Sequence, residues 1–428
     1  MTRARQGLKT HRRRIALAAA LACLVAGGMA LWSHTAEAGS VGPDVTVIYL
    51  GSFVSNWGSS GGMRGYSIGT TSCNVGDTPL WWCDETESYC DNDQHPVIAQ
   101  NIYRLKEGRF EQIGMSWLKH GFLSLNDPDP ACGTCQPPPH GGDQLGVGCI
   151  DTYGSGLNGT RPLGLRSEVN ATTGQFPFPP TPVSTSTVID QRMIVAESDL
   201  DPALNPGALY WIEGQYVAAD DAENQNGLNN ASYRAVTVSG ASFNLSPQGP
   251  TVREKSAISA WQATDPYVET VDADVPSNPT QRFEVARKVT PGTPWHYEYA
   301  IRNMNSDRSA RSFTIQFPPG TTIENVGFRD VDHHSGEPYA TTDWDVTVDS
   351  PAGTVTWSTD LFSVDEFANA LRWGTMFSFW LDANAPPVAL GHTLVLFKPG
   401  LPADVTFGFN SGIFADGFES GDTTAWNP

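Results

Sequence analysis

Between Trp295 and Arg302 the chain reads Trp-His-Tyr-Glu-Tyr-Ala-Ile-Arg, with apolar and polar positions alternating. Only an extended strand places alternate side chains on one face. Runs of the same kind occur at 283–289, 312–317, 323–328, 344–348, 354–357, 371–381 and 393–397, and Pro351-Ala352-Gly353 supplies a turn between two of them. Eight short strands at this spacing predict an antiparallel β-sandwich over 281–400. Upstream, strand-like runs stand at 45–50, 97–105 and 110–118, and Lys106-Glu107-Gly108 predicts a hairpin between the last two. The Pro- and Gly-rich stretch 126–159 reads as loop, and 176–182 as a linker or a packed extended segment. No stretch after residue 38 sustains a helical period.

The front of the chain carries a different pattern. Six Lys and Arg lie among residues 1–14, an 18-residue apolar run spans 15–32, and Ala36-Glu37-Ala38 follows. That order predicts a secretory signal peptide over 1–38. The arginines at 12–14 leave both the general and the twin-arginine export routes open. The remaining six cysteines, Cys73, Cys83, Cys90, Cys132, Cys135 and Cys149, are confined to one segment. In an oxidising compartment an even set reads as three disulfides, in any of 15 pairings. Zinc is the poorer reading, because Cys132-Gly133-Thr134-Cys135 has no second pair at ligand spacing. The expected fold is therefore mainly β: a disulfide-stapled β-rich region over 39–270, the sandwich over 281–400, and a tail over 401–428.

Composition narrows the partners. The chain of 428 residues has a net charge of −20. Residues 1–38 hold six basic residues and one acidic, so the mature chain has 20 basic against 45 acidic residues, a net of −25. Such a surface repels nucleic-acid phosphates and anionic lipid. No second stretch is apolar and long enough to span a bilayer.

Candidate chemistry is sparse, and each cluster has a plain structural alternative. Asp330-Val331-Asp332-His333-His334-Ser335-Gly336-Glu337 gathers carboxylates and histidines beyond a predicted strand. Asp330 and Asp332 would share a face there, to bind a metal with His334 or to act with Glu337 as an acid/base pair. With His95 and His120 these are the catalytic candidates; a polar loop is the alternative. Asp220, Asp221, Asn229 and Asn230 are oxygen-rich enough for calcium, although EF-hand spacing fails because Ala222 falls at its first ligand position. Trp81 and Trp82, between Pro79 and Cys83, are candidates to stack on sugar rings at the surface, while Trp295, Trp357 and Trp373 read as core.

The stretches at 94–101 (QHPVIAQN), 114–122 (GMSWLKHGF), 145–149 (LGVGC) and 335–339 (SGEPY) together resemble a group of uncharacterised exported proteins of Gram-negative bacteria. The resemblance implies secretion and supplies no activity. The ending DGFESGDTTAW, residues 416–426, is similar to a short terminal segment of many exported bacterial proteins, which implies a sorting tag. The expectation is an extracellular, surface or periplasmic protein that binds a ligand such as a glycan without catalysis. A secreted hydrolase of polysaccharide or ester, and a structural matrix protein, are the alternatives.

Overall fold

A computed structural model describes residues 40–159, 163–334, 336–387 and 390–409. The predicted signal peptide, 1–38, and the tail motif, 416–426, lie outside these residues. Ten described strands build the predicted sandwich. One sheet runs Val268–Val275, Gln281–Thr290, Trp295–Asn303, Met376–Ala383, Ile323–Arg329; the other runs Asp345–Asp349, Thr354–Ser358, Ala310–Gln316, Gly391–Leu396, Asp404–Phe407. Their ladders are antiparallel. Both sheets contribute to one core, in which Phe313 stacks on Trp357 at 5.7 Å and meets Phe379 at 5.1 Å. Each such aromatic contributes roughly 1.5–3 kcal/mol by leaving water.

The sandwich begins one strand earlier and ends one strand later than the pattern indicates. Val268–Val275 is an edge strand whose Glu269, Asp272 and Asp274 meet Arg287 and Arg282 of its neighbour. Acids at an edge discourage pairing with other chains. They also dilute the apolar signal.

The front region is a sheet of twelve described strands with a separate two-stranded ribbon, Leu80–Trp81 with Gln144–Leu145. Its longest hairpin, Val45–Ser60 with Met63–Asn74, folds back over Leu209–Val217, Ala231–Ser239 and Asn244–Val252. Val45, Val47 and Leu50 thus share a core with Tyr216, Val236 and Leu245. The predicted hairpin is present: Val97–Lys106 pairs with Arg109–Met115 around Glu107 and Gly108, both at positive φ as a tight two-residue turn requires. The run 110–118 is two strands, because Leu118–His120 turns away to pair with Val97 and Ile98. Part of the expected loop is also strand, since Cys149–Tyr153 pairs with Met63–Asn74. Residues 176–182 are packed: Phe176 is buried and Phe178 lies against its cluster.

Three disulfides staple this region: Cys73–Cys132, Cys83–Cys90 and Cys135–Cys149. Among the described residues no helix is long and apolar enough to cross a membrane.

The two regions meet across a buried seam within one compact unit. On the strand Trp295–Asn303, Tyr297, Tyr299 and Ile301 face the sandwich core. The opposite face, which alternation alone would give to solvent, lies against the front sheet. Ala300 packs with Tyr103, Phe110 and Trp261. Arg302, fully buried, donates to Glu213 at 3.0 Å, Gln215 at 2.6 Å and Glu284 at 2.8 Å. Glu213 also accepts from Asn101, Tyr103 and the Ala257 amide. A second buried arginine, Arg166, donates to Ser116, Gln100 and Gly374 carbonyls.

Candidate functional site

Two surface features stand out from the fold. The first is an aromatic plate. The short strand Leu80–Trp81 pairs with Gln144–Leu145, and its Trp81 amide donates to Asp220. The Cys83–Cys90 bridge brings the following loop back, setting Tyr89 parallel to Trp81 with centroids 6.4 Å apart. His140 completes the group, stacked on Tyr89 at 4.0 Å and 5.8 Å from Trp81. Tyr89 is 39% exposed, and its hydroxyl donates to Asp143 at 2.6 Å. Trp82 corrects the expected surface pair: it is fully buried, and its indole donates to Tyr153. Successive residues of an extended chain point to opposite sides, so only one of the two could reach solvent.

The second feature is a cleft of about 440 Å³ where the sandwich meets the front sheet. Its floor is the pairing of Arg109–Met115 with Met193–Ala196. Gly114 makes that pairing possible, since a Cβ there would lie 2.3 Å from the Ile194 carbonyl. Its upper wall is 329–334, following the strand Ile323–Arg329. Arg329 reaches across to Asp199 at 2.7 Å and Glu111 at 3.6 Å, and Arg104 pairs with the same two carboxylates.

Asp330, Asp332 and His334 therefore do share one cavity, with His333. Burial pushes the Asp330 carboxyl up to about 6, against a hydrogen bond from Asn369. Asp332 is exposed. His333 lies 4.9 Å from Tyr339 and is pushed down to about 3, by desolvation first and then by Arg372 and Arg166. The expected acid/base pairing with Glu337 is not assembled. That carboxylate accepts from the Arg166 and Ser167 amides and does not line the cleft.

His95 and His120 form a separate buried pair, outside the cleft lining. His95 Nδ1 lies 2.7 Å from the Cys83 carbonyl, which can only accept. The proton of neutral His95 therefore sits on Nδ1. Its Nε2, 3.0 Å from His120 Nδ1, accepts from His120. Phe176 and Phe178 wall both rings. Burial lowers His95 to about 4 and His120 to about 3, the latter helped by its neighbour.

Depressed histidines contribute stability that is complete above the unfolded value of 6.5 and lost as pH falls from there toward 4. Asp151, Asp220 and Asp330, raised to about 6, act oppositely between 3.8 and 6. His120→Asn keeps the donor to His95 and removes one titrating group. Urea unfolding should then show a shallower acid loss, by up to about 1.4 kcal/mol per pH unit between 6.5 and 4. Parallel curves for the two proteins would rule this out.

No family model matches the chain, and no curated protein does. Among solved structures, the chain is similar to the N-terminal domain of a Streptococcus gordonii adhesin at 10% identity, with a TM-score of 0.18 over 87% of this chain and 100% of that one.

Of the calcium candidates, Asp220 caps the Trp81 amide, while Asp221 and Asn230 are buried together. Among the described residues no three His, Cys, Asp or Glu side chains are placed to hold a metal. Sequence reading missed Tyr89 and His140. The usable signal was Tyr89 beside Cys90 and Trp81 near Cys83, but it needed the disulfide pairing first.

Proposed function

We propose that this is an exported, non-catalytic surface protein that binds glycan on the Trp81–Tyr89–His140 plate. The observation that carries the reading is the covalently fixed, solvent-reaching pair Trp81 and Tyr89. Flat rings offer a pyranose ring both apolar contact and a negative π-face for its C–H groups, and Asp143 beside Tyr89 accepts from sugar hydroxyls. Holding the rings in place before binding saves the entropy of ordering them. Three disulfides suit an oxidising location, and the acidic surface suits a neutral sugar better than a polyanion.

A glycan array followed by calorimetry tests this. Trp81→Ala and Tyr89→Ala should each weaken binding about tenfold, the order expected for one aromatic contact. Unchanged affinity in both variants rejects the plate. The second reading, a hydrolase at the cleft, is favoured by the raised Asp330 beside exposed Asp332. Polymer turnover that Asp330→Asn abolishes would replace the first reading with it.

A further inference from the structure

We infer a calcium site between the start of the first strand and the loop 220–230, formed by Asp44, Asp221, Asn229 and Asn230. Asp44 is 1% exposed, Asp221 0% and Asn230 2%. Two carboxylates enclosed this far need a counter-charge or must give up ionisation. Among the described residues no cationic side chain is a hydrogen-bond or ion-pair partner of either. Asp221 accepts from the Val45 amide at 2.9 Å and from Asn230 at 2.8 Å. Asp44 accepts from Asn229 at 3.2 Å and from the Ser40 hydroxyl.

A separate observation points to a ligand. Asp44 Oδ1, Asn229 Oδ1 and Asn230 Oδ1 are buried without any hydrogen-bond partner. Leaving one such oxygen unmatched costs about 1–3 kcal/mol, and Asp44 and Asn230 are almost wholly enclosed, so each calls for a partner. Both amides present nitrogen to the carboxylates. An amide turned over exchanges nitrogen for oxygen at nearly the same place. Turned over, Asn229 and Asn230 would set their oxygens beside Asp44 and Asp221, with the Ser40 hydroxyl close by.

Two carboxylates with neutral oxygens form a hard, flexible set that suits calcium better than magnesium, which demands a strict octahedron. A divalent ion would supply a counter-charge to both enclosed carboxylates. The ion would tie the segment 40–45 to the loop, where Asn226 already donates to the Val41 and Pro43 carbonyls. The rival is a pair of neutral, protonated acids.

The test uses the full chain after leader removal, stripped with EDTA. Calcium chloride at about 10 mM should raise Tm by at least about 2 °C, with magnesium giving less. Calorimetry should show one site. Asp44→Asn should abolish the rise, and the half-exposed Asn229→Ala should weaken the calcium midpoint about tenfold if Asp44→Asn fails to fold. Glu223→Gln, an exposed acid of the same loop, should keep the full response. A wild-type chain with no calcium heat and no Tm rise would overturn the site and leave protonated acids as the explanation. A response unchanged in Asp44→Asn and Asn229→Ala would also overturn it.

Discussion

Glu213→Ala is expected to destabilise the protein by roughly 3–5 kcal/mol, the largest effect of any single substitution considered. Glu213 is wholly enclosed, and its two oxygens take four donors: Asn101, Tyr103, Arg302 and the Ala257 amide. Removing it strands the Arg302 guanidinium, itself fully enclosed, with Glu284 as its remaining anion. It also takes the acceptor from the Tyr103 hydroxyl and the Ala257 amide, while Asn101 keeps the Gly374 carbonyl. Replacing both partners by apolar residues of similar volume, Glu213→Leu with Arg302→Met, should cost less than either change alone, because the two fully enclosed charges go together and Glu284, partly exposed, keeps the Ser256 hydroxyl. Urea midpoints at constant slope measure both variants. A single-variant loss below about 1 kcal/mol would show that water reaches the seam. By contrast, an exposed ion pair such as Arg253–Glu254 contributes about 1 kcal/mol or less.

Loss of Cys73–Cys132 is expected to cost about 4 kcal/mol, more than loss of either other bridge. The bonds close loops of 59, 14 and 7 residues. In the chain-entropy description those lengths correspond to about 4, 3 and 2 kcal/mol. Cys73–Cys132 also pins the irregular stretch around residue 132 directly to the strand Met63–Asn74. Paired Cys→Ser variants, compared by urea unfolding, should follow that order. Equal losses for the three pairs would show that residual structure in the unfolded chain governs the effect.

The sandwich was largely readable because its strands bury one aromatic face, as in Trp295–Asn303, and alternation reports that directly. The front sheet was not. Met63–Asn74 is buried along nearly its whole length, yet its sequence is rich in Ser, Thr and Gly. There polar side chains are satisfied internally: Ser67 donates to the Ser155 carbonyl, and Thr70 meets the Tyr216 hydroxyl. A hydrophobic pattern cannot report such a strand. Leu209–Val217 hides for the same reason, since Glu213 and Gln215 look like solvent positions until Arg302 is seen opposite them. The cleft was half legible. Asp330, Asp332 and His334 are close in sequence and stay close in space, whereas Asp199 and Glu111, which meet the neighbouring Arg329, come from distant segments. His95 and His120 were found as histidines but not as each other's partners.

Gln112 belongs to the cleft wall, yet its side-chain oxygen accepts the Met376 amide across the seam at 2.7 Å. Arg329 likewise spans from one half to the other. The two walls are thus bolted together by the bonds that join the halves, and a hinge opening would break them. Its rim is the exposed stretch 184–188, leading to Ile189 and Asp190. A cavity held this firmly keeps its outline, so any guest would have to match it in size and shape.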